Sequence, residues 1–164
     1  MHPAVLPTDE FLKDTHEVHT RRSGPGGQHR NKTQTAVVLV HQPTGITAEA
    51  SERRSQAENR QVALRRLRLK LALEHRTQSL PGPSELWQSR IRGRQLVISA
   101  SHDDYPPIVA EALDQLQAHG LEMPKAAETL GVTATQLARL FKKDPSAWTT
   151  LTRLRARAGL AALK

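Results

Sequence analysis

Residues 21–34 read RRSGPGGQHRNKTQ, with Gly24, Pro25, Gly26, Gly27 and Gln28 in succession at the centre. No regular element can pass through them: proline fixes its own φ and lacks an N–H, while glycine opens backbone conformations that other residues avoid. A loop is predicted here, slim for want of side chains, with Gln28 presented at its exit. Arg21 and Arg22 stand before it, Arg30 and Lys32 after it. A narrow neutral tip on a cationic collar suits entry into a confined, phosphate-lined cavity.

The loop separates two strand patterns. Residues 17–22 (EVHTRR) alternate like a half-buried strand with Val18 and Thr20 inward, after a short turn that Thr8, Asp9 and Glu10 can cap. Residues 35–42 (TAVVLVHQ) are rich in β-branched side chains, Pro43, Thr44 and Gly45 supply a turn, and residues 46–50 (ITAEA) alternate again. That is a β-hairpin. Ser55 and Glu58 have the spacing of a capping box and open the longest helical pattern, which runs to about Arg76. Leu64, Leu67 and Leu71, with Ala57 and Ala63, are predicted to lie on the hairpin. From Glu52 to Arg76 eight Arg and Lys face three Glu, a net +5 within a chain total of +8. A charge run this one-sided beside a basic loop points to RNA, and Arg53, Arg54, Arg60, Arg65, Arg66, Arg68 and Lys70 are its candidate contacts together with Arg21, Arg22, Arg30 and Lys32.

The Pro/Gly/Ser-rich run 77–85 marks the best domain boundary. Trp87 is expected as a packing anchor, and residues 94–100 (RQLVISA) as a short strand. Beyond Pro106 the pattern is helical: residues 108–119, 125–130 and 133–143, then a last helix to Ala158 capped by Ser146. Ala127, Gly131 and Leu137 have the spacing of a helix-turn-helix, which is equally that of an ordinary helical hairpin. Arg139, Lys143, Arg153 and Arg157 are candidate nucleic-acid contacts there. The expected fold is α+β: a catalytic domain over residues 8–76 with a sheet, a packed basic helix and the glycine loop, a linker with a short strand over 77–104, and a small all-α, helix-turn-helix-like domain over 105–164.

The net charge of +8 and a pI near 10.6 point to nucleic acid or an anionic membrane rather than to acidic small molecules. No apolar run is long enough to span a bilayer, and no membrane partner is expected. Without cysteine there are neither disulfides nor thiolates, which fits the cytoplasm, and the N-terminus lacks the features of a targeting peptide. The nearest histidine pair, His16 and His19, has no accompanying ligand set, so neither a metal nor a cofactor is expected.

The segments SGPGGQHRNK (23–32), TAV (35–37), HQPTGI (41–46) and ERRSQAENR (52–60) occur in the order and spacing of a known family. Over about 70 residues, from Thr8 to roughly Arg76, the chain resembles the catalytic GGQ domain of class I peptide chain release factors. It resembles equally their short, stop-codon-independent relatives, the ribosome-rescue peptidyl-tRNA hydrolases. A carboxamide does not titrate near neutrality, so Gln28 cannot be a general base, and the chain shows no other hydrolytic set. The resemblance implies that the partner is the ribosome, through large-subunit rRNA and peptidyl-tRNA. In that family the loop enters the peptidyl transferase centre, the backbone N–H of the glutamine helps hold the oxyanion, and water attacks the ester. Carried over, Gly26, Gly27 and Gln28 are the catalytic residues, and a methyltransferase acting on Gln28 is a candidate partner.

Full release factors also carry stop-codon-reading domains, for which there is no room before Thr8 or in the linker; codon-independent action is therefore expected. A monomer is a separate expectation. The short relatives often end in a Lys/Arg tail, whereas the last 60 residues here have a folded pattern. Two other readings compete with hydrolysis: a helix-turn-helix nucleic-acid-binding regulator, and a ribosome-associated RNA-binding protein without hydrolytic activity.

Overall fold

The computed structural model describes residues 1–20, 35–93 and 95–163, which combine a small antiparallel sheet with several helices. The chain divides into two compact units, Leu6–Leu71 and Met1–Val5 with Ala72–Lys164.

In the first unit, α1 (Thr8–Lys13) leads into β1 (Thr15–Thr20), β2 (Ala36–His41) and β3 (Thr47–Ala50), and α2 (Gln56–Glu74) begins after a short connection. The strands are antiparallel in the order β1-β2-β3, with Thr15 opposite His41, Thr20 opposite Ala36 and Val37 opposite Ala50. The β2–β3 turn is closed by the Gly45 N–H, which donates to the His41 carbonyl at 2.8 Å, and Gly45 takes φ of 70°, where a side chain is strained. Buried His41 bonds Thr44 through Nδ1 and Oγ1 at 2.8 Å and stacks on Phe11 with centroids 5.7 Å apart.

One face of this sheet is the core. Val37 and Leu39 from β2, and Ala48 and Ala50 from β3, meet Phe11 and the Ala63, Leu67 and Leu71 row of α2. Alanines on β3 and at position 63 leave room for the helix to lie close. Two expectations on this face are corrected. Val18 is 37% exposed rather than inward. It pairs with Val38 on the opposite face, while Glu17 and His19 lie across from Leu39 and Val37 on the helix side. Ala57 is exposed, and the position one turn below Ala63 is taken by a fully buried polar residue, Asn59. Leu64 is half-buried at the margin. The helix start follows the predicted cap: the Glu58 N–H donates to Ser55 Oγ at 3.4 Å.

In the second unit α3 (Glu85–Ser89) is followed by a two-stranded hairpin, β4 (Ile91–Arg92) and β5 (Gln95–Leu96), and then by α4 (Tyr105–Ala118), α5 (Met123–Thr129), α6 (Ala134–Lys142) and α7 (Pro145–Arg157). The proline-rich segment is tied down along α4. Asp114 accepts from the Thr77 N–H at 3.1 Å and from Thr77 Oγ1 at 2.6 Å, Gln115 Nε2 donates to the Leu80 carbonyl at 2.6 Å, and Glu111 Oε1 accepts the Ser84 N–H at 2.7 Å. Burial raises the Glu111 carboxyl above the usual carboxylate range, against the pull of Ser84. Trp87 is fully buried, and its Nε1 donates to the Leu130 carbonyl at 2.9 Å.

The strand expected over residues 94–100 is, among its described residues, only Gln95–Leu96. Val97 is 54% exposed, and Ser99 Oγ draws the backbone into a turn by accepting the Ser101 N–H. The last helix is capped by Asp144, not Ser146: Asp144 Oδ1 accepts the N–H groups of Ser146 and Ala147 at 2.9 and 3.1 Å, and Pro145 takes the first helical position.

Replacing Asp144 by alanine removes that cap, and urea denaturation should show a loss of about 1 kcal/mol. A second expectation concerns His2, which is 5% exposed, accepts the Ala4 N–H at Nδ1 and donates from Nε2 to the His75 carbonyl, both at 3.1 Å. Burial lowers its imidazole from the ordinary value of 6.5, outweighing the His75 carbonyl, which favours the proton. The unfolded chain then binds this proton more readily than the folded one. Stability from His2 is present above about pH 6.5 and is lost as pH falls through the lowered value. Unfolding measured from about pH 7.5 to about pH 5 should show a steeper decline for the native sequence than for His2→Gln.

Candidate nucleic-acid interface and the flanks of the Gly-Gly-Gln stretch

Gly26, Gly27, Gln28, Arg21, Arg22, Arg30 and Lys32 lie outside the described residues. Their flanks lie at one end of the β1–β2 ladder. Thr20 and Ala36 face each other at the end of the β1–β2 ladder, so the chain leaves and re-enters the sheet on neighbouring strands, roughly 5 Å apart in such a sheet.

Both flanks meet the first turns of α2. Gln56 Nε2 reaches His19 Nδ1 at 2.6 Å, and Arg60 Nε donates to Glu17 Oε2 at 2.7 Å. His19 Nε2 stands 3.5 Å from the other Glu17 oxygen. On the β2 side, Asn59 Nδ2 donates to the Thr35 carbonyl at 2.6 Å and to the Arg53 carbonyl at 3.0 Å, while its Oδ1 accepts the Arg53 N–H at 2.9 Å. All the polar atoms of this buried amide are engaged. Sequence reasoning missed these contacts of Gln56, Asn59, Glu17 and His19. The available signal was polar side chains at helical spacing in QAENR, opposite polar residues at alternate positions of EVH.

Arg53, Arg54 and Arg65 are exposed. Arg66 pairs with Glu52 at 2.6 Å and donates to the Glu49 carbonyl at 2.8 Å. The N–H groups of Glu52 itself and of Ser51, with Arg66 adding to them, hold the Glu52 carboxyl below the usual range. Arg68 lies 4.8 Å over the Phe11 ring and donates to the Leu6 carbonyl at 2.9 Å, so it closes the core. Lys70 Nζ donates to the Thr47 carbonyl at 2.9 Å while remaining exposed.

In the second unit Arg139, Lys143, Arg153 and Arg157 are all exposed. Arg139 and Lys143 border one groove with Gln95, Leu96, Gln136 and Leu140. Lys142 Nζ lies 4.9 Å over the Trp148 ring. Ala127 and Leu137 are buried, and between them the Gly131 backbone takes φ of 68° while the Val132 N–H returns to the Ala127 carbonyl at 3.0 Å. This joins α5 and α6 by a tight turn. Among the described residues no three His, Cys, Asp or Glu side chains converge as a metal-ligand set, and no helix is long and apolar enough to cross a membrane.

The chain is similar in sequence to several known proteins. The chain is 51% identical over 55 residues to "Peptide chain release factor 1-like, mitochondrial" of Mus musculus, covering 34% of this chain and 15% of that protein. It is 48% identical over 71 residues to "Peptide chain release factor 2" of Variovorax paradoxus, covering 43% and 17%. With "Peptide chain release factor 1" of Ureaplasma parvum serovar 3 it shares 53% identity over 67 residues, covering 41% and 18%. The chain thus spans less than a fifth of the length of these relatives. The RF-1 domain matches residues 12–97, just over half of the chain, from the end of α1 through β5, and the chain belongs to the RF-1 domain family.

Proposed function

We propose that this chain hydrolyses the ester between peptide and tRNA on stalled ribosomes, without reading a codon. The observation that carries the reading is the RF-1 match, which contains the Gly-Gly-Gln stretch, both its flanks and the basic helix. In this reading Gly26 and Gly27 exclude side-chain bulk beside the ester. Gln28 places a backbone N–H at the forming oxyanion and its carboxamide near the attacking water. Preorganised donors of this kind act where charge develops and need no titrating base. The ribosome supplies the rest of the site, and the exposed Arg53, Arg54 and Arg65 meet its RNA. Gln28 is then also the residue that a methyltransferase would modify. Codon independence is the finer element of the proposal. Release from complexes stalled on a sense codon or at an mRNA end, compared with complexes paused at a stop codon, tests it directly; strict dependence on a stop codon would refute it.

A second reading is favoured by the α5–Gly131–α6 turn with Arg139 and Lys143 exposed on or just after α6. There the helical unit reads duplex nucleic acid and hydrolysis is absent. Selective enrichment of one duplex sequence, with no peptide release, would support it.

On the first reading Gly27→Ala should lower the release rate by about 10²–10³-fold, the scale of one oxyanion contact, while ribosome affinity stays nearly constant. Equal losses of affinity and rate would make the stretch a docking element instead. Association should also weaken steeply with salt. Charge reversal of Arg53 and Arg54 to Glu should reduce the slope of log affinity against log salt by about one to two, roughly one for each phosphate that is no longer neutralised.

A further inference from the structure

Gln56, Asn59 and Arg60 stand at i, i+3 and i+4, which places them on one side of the first turns of α2. They divide their contacts between the two flanks of the Gly-Gly-Gln stretch. Gln56 and Arg60 hold β1 through His19 and Glu17. Asn59 holds the Thr35 carbonyl, immediately before β2. None of these contacts is required by the hydrophobic core, which begins at Ala63 on the helix. An apolar residue at position 59 would continue the Ala63, Leu67 and Leu71 row without burying a carboxamide. The buried amide instead fixes where the chain re-enters the sheet, while the exposed pairs fix where it leaves.

We infer that Gln56, Asn59 and Arg60 are positioning residues: a three-point clamp that sets both ends of the Gly-Gly-Gln stretch and thereby the placement of Gln28 at the reacting ester. The inference rests on the hydrolytic reading above. A flank displaced by about 1 Å moves a reacting group out of the productive geometry, an error that can cost about 10²-fold in rate. Ribosome binding through exposed cations is a separate contribution.

The test is peptide release by the full chain from stalled ribosomal complexes, with saturation curves for each variant. Asn59→Asp keeps the size of the side chain and the acceptor for the Arg53 N–H. It replaces the amide N–H₂ by an oxygen facing the Thr35 and Arg53 carbonyls. The expected result is a fall in kcat of about 10²-fold with KM within about threefold. Gln56→Ala, on the exposed flank, should lower kcat about tenfold in the same pattern and is informative even if Asn59→Asp fails to fold. Arg60→Glu should lower kcat, and adding Glu17→Arg should restore it by re-forming the pair with its charges exchanged. A rise in KM at constant kcat, or no recovery in the exchanged pair, overturns the clamp. Amide hydrogen exchange separates this failure from failure of the hydrolytic reading. If the native chain releases no peptide, that reading falls. The clamp is then judged by exchange at Ala36, expected to accelerate at least tenfold in Asn59→Asp and Gln56→Ala while exchange at Leu39 is unchanged. Equal exchange at Ala36 in variants and native chain would overturn it.

Discussion

A carboxamide shut away from water costs about 1–3 kcal/mol for each polar group left without a partner. Asn59 meets this condition by using both amide hydrogens and its oxygen, on Thr35 and Arg53. That requirement fixes more than one residue. It ties the approach to β2 and the connection before α2 to a single point, and it determines the rotation of α2 about its axis. A turn of the helix by one residue, about 100°, would expose the amide and remove Ala63, Leu67 and Leu71 from the sheet together. The polar contact and the apolar row therefore specify the same helix phase. Agreement between two kinds of interaction at one register is what gives a small unit a single packed arrangement.

The basic character of α2 is also less uniform than its sequence implies. Charge on a surface is available to a polyanion only if the side chain is not already committed. Arg60, Arg66 and Arg68 are bound to Glu17, Glu52 and the backbone of Leu6. They define the geometry of the unit, and in an exposed pair the net energy is small. Arg53 and Arg54 lie before the helix begins, in a segment whose backbone Asn59 holds. Their guanidinium groups project from a fixed point on a long, rotatable stem, which suits contact with phosphates of varied spacing.

Much of this was legible in the chain. The strand patterns on either side of residues 21–34 located β1 and β2; β-branched runs around Pro43, Thr44 and Gly45 located the hairpin; Ser55 and Glu58 located the start of α2. The features that stayed hidden share one physical pattern. Periodicity assigns apolar side chains inward, but β1 lies where polar residues of α2 reach it, so Glu17 and His19 turn toward the helix and Val18 turns out. The same assumption chose Ala57 over Asn59. Turn-rich composition over 77–85 likewise marked a boundary and gave no sign that Thr77, Leu80 and Ser84 find partners on α4, 27 to 37 residues further on. Local composition carries no record of such distant partners. At α7, both Asp144 and Ser146 were chemically suitable caps, and Pro145 decided between them by occupying the first helical position.

The division of the chain also has a consequence for the order of its assembly. Leu6–Leu71 is continuous, whereas the other unit takes Met1–Val5 from before it and Ala72–Lys164 from after it. Topologically, the unit with the Gly-Gly-Gln stretch is an insertion between residues 5 and 72 of its neighbour. During synthesis, all of its strands and most of α2 have been made before α4 exists, while Ala4, buried in the finished fold, must wait for residues not yet translated. A single cut can therefore never deliver both units whole. Engineering or recombination that moves the helical unit elsewhere would have to carry the first five residues with it, joined by a new connection across the gap left by the insert.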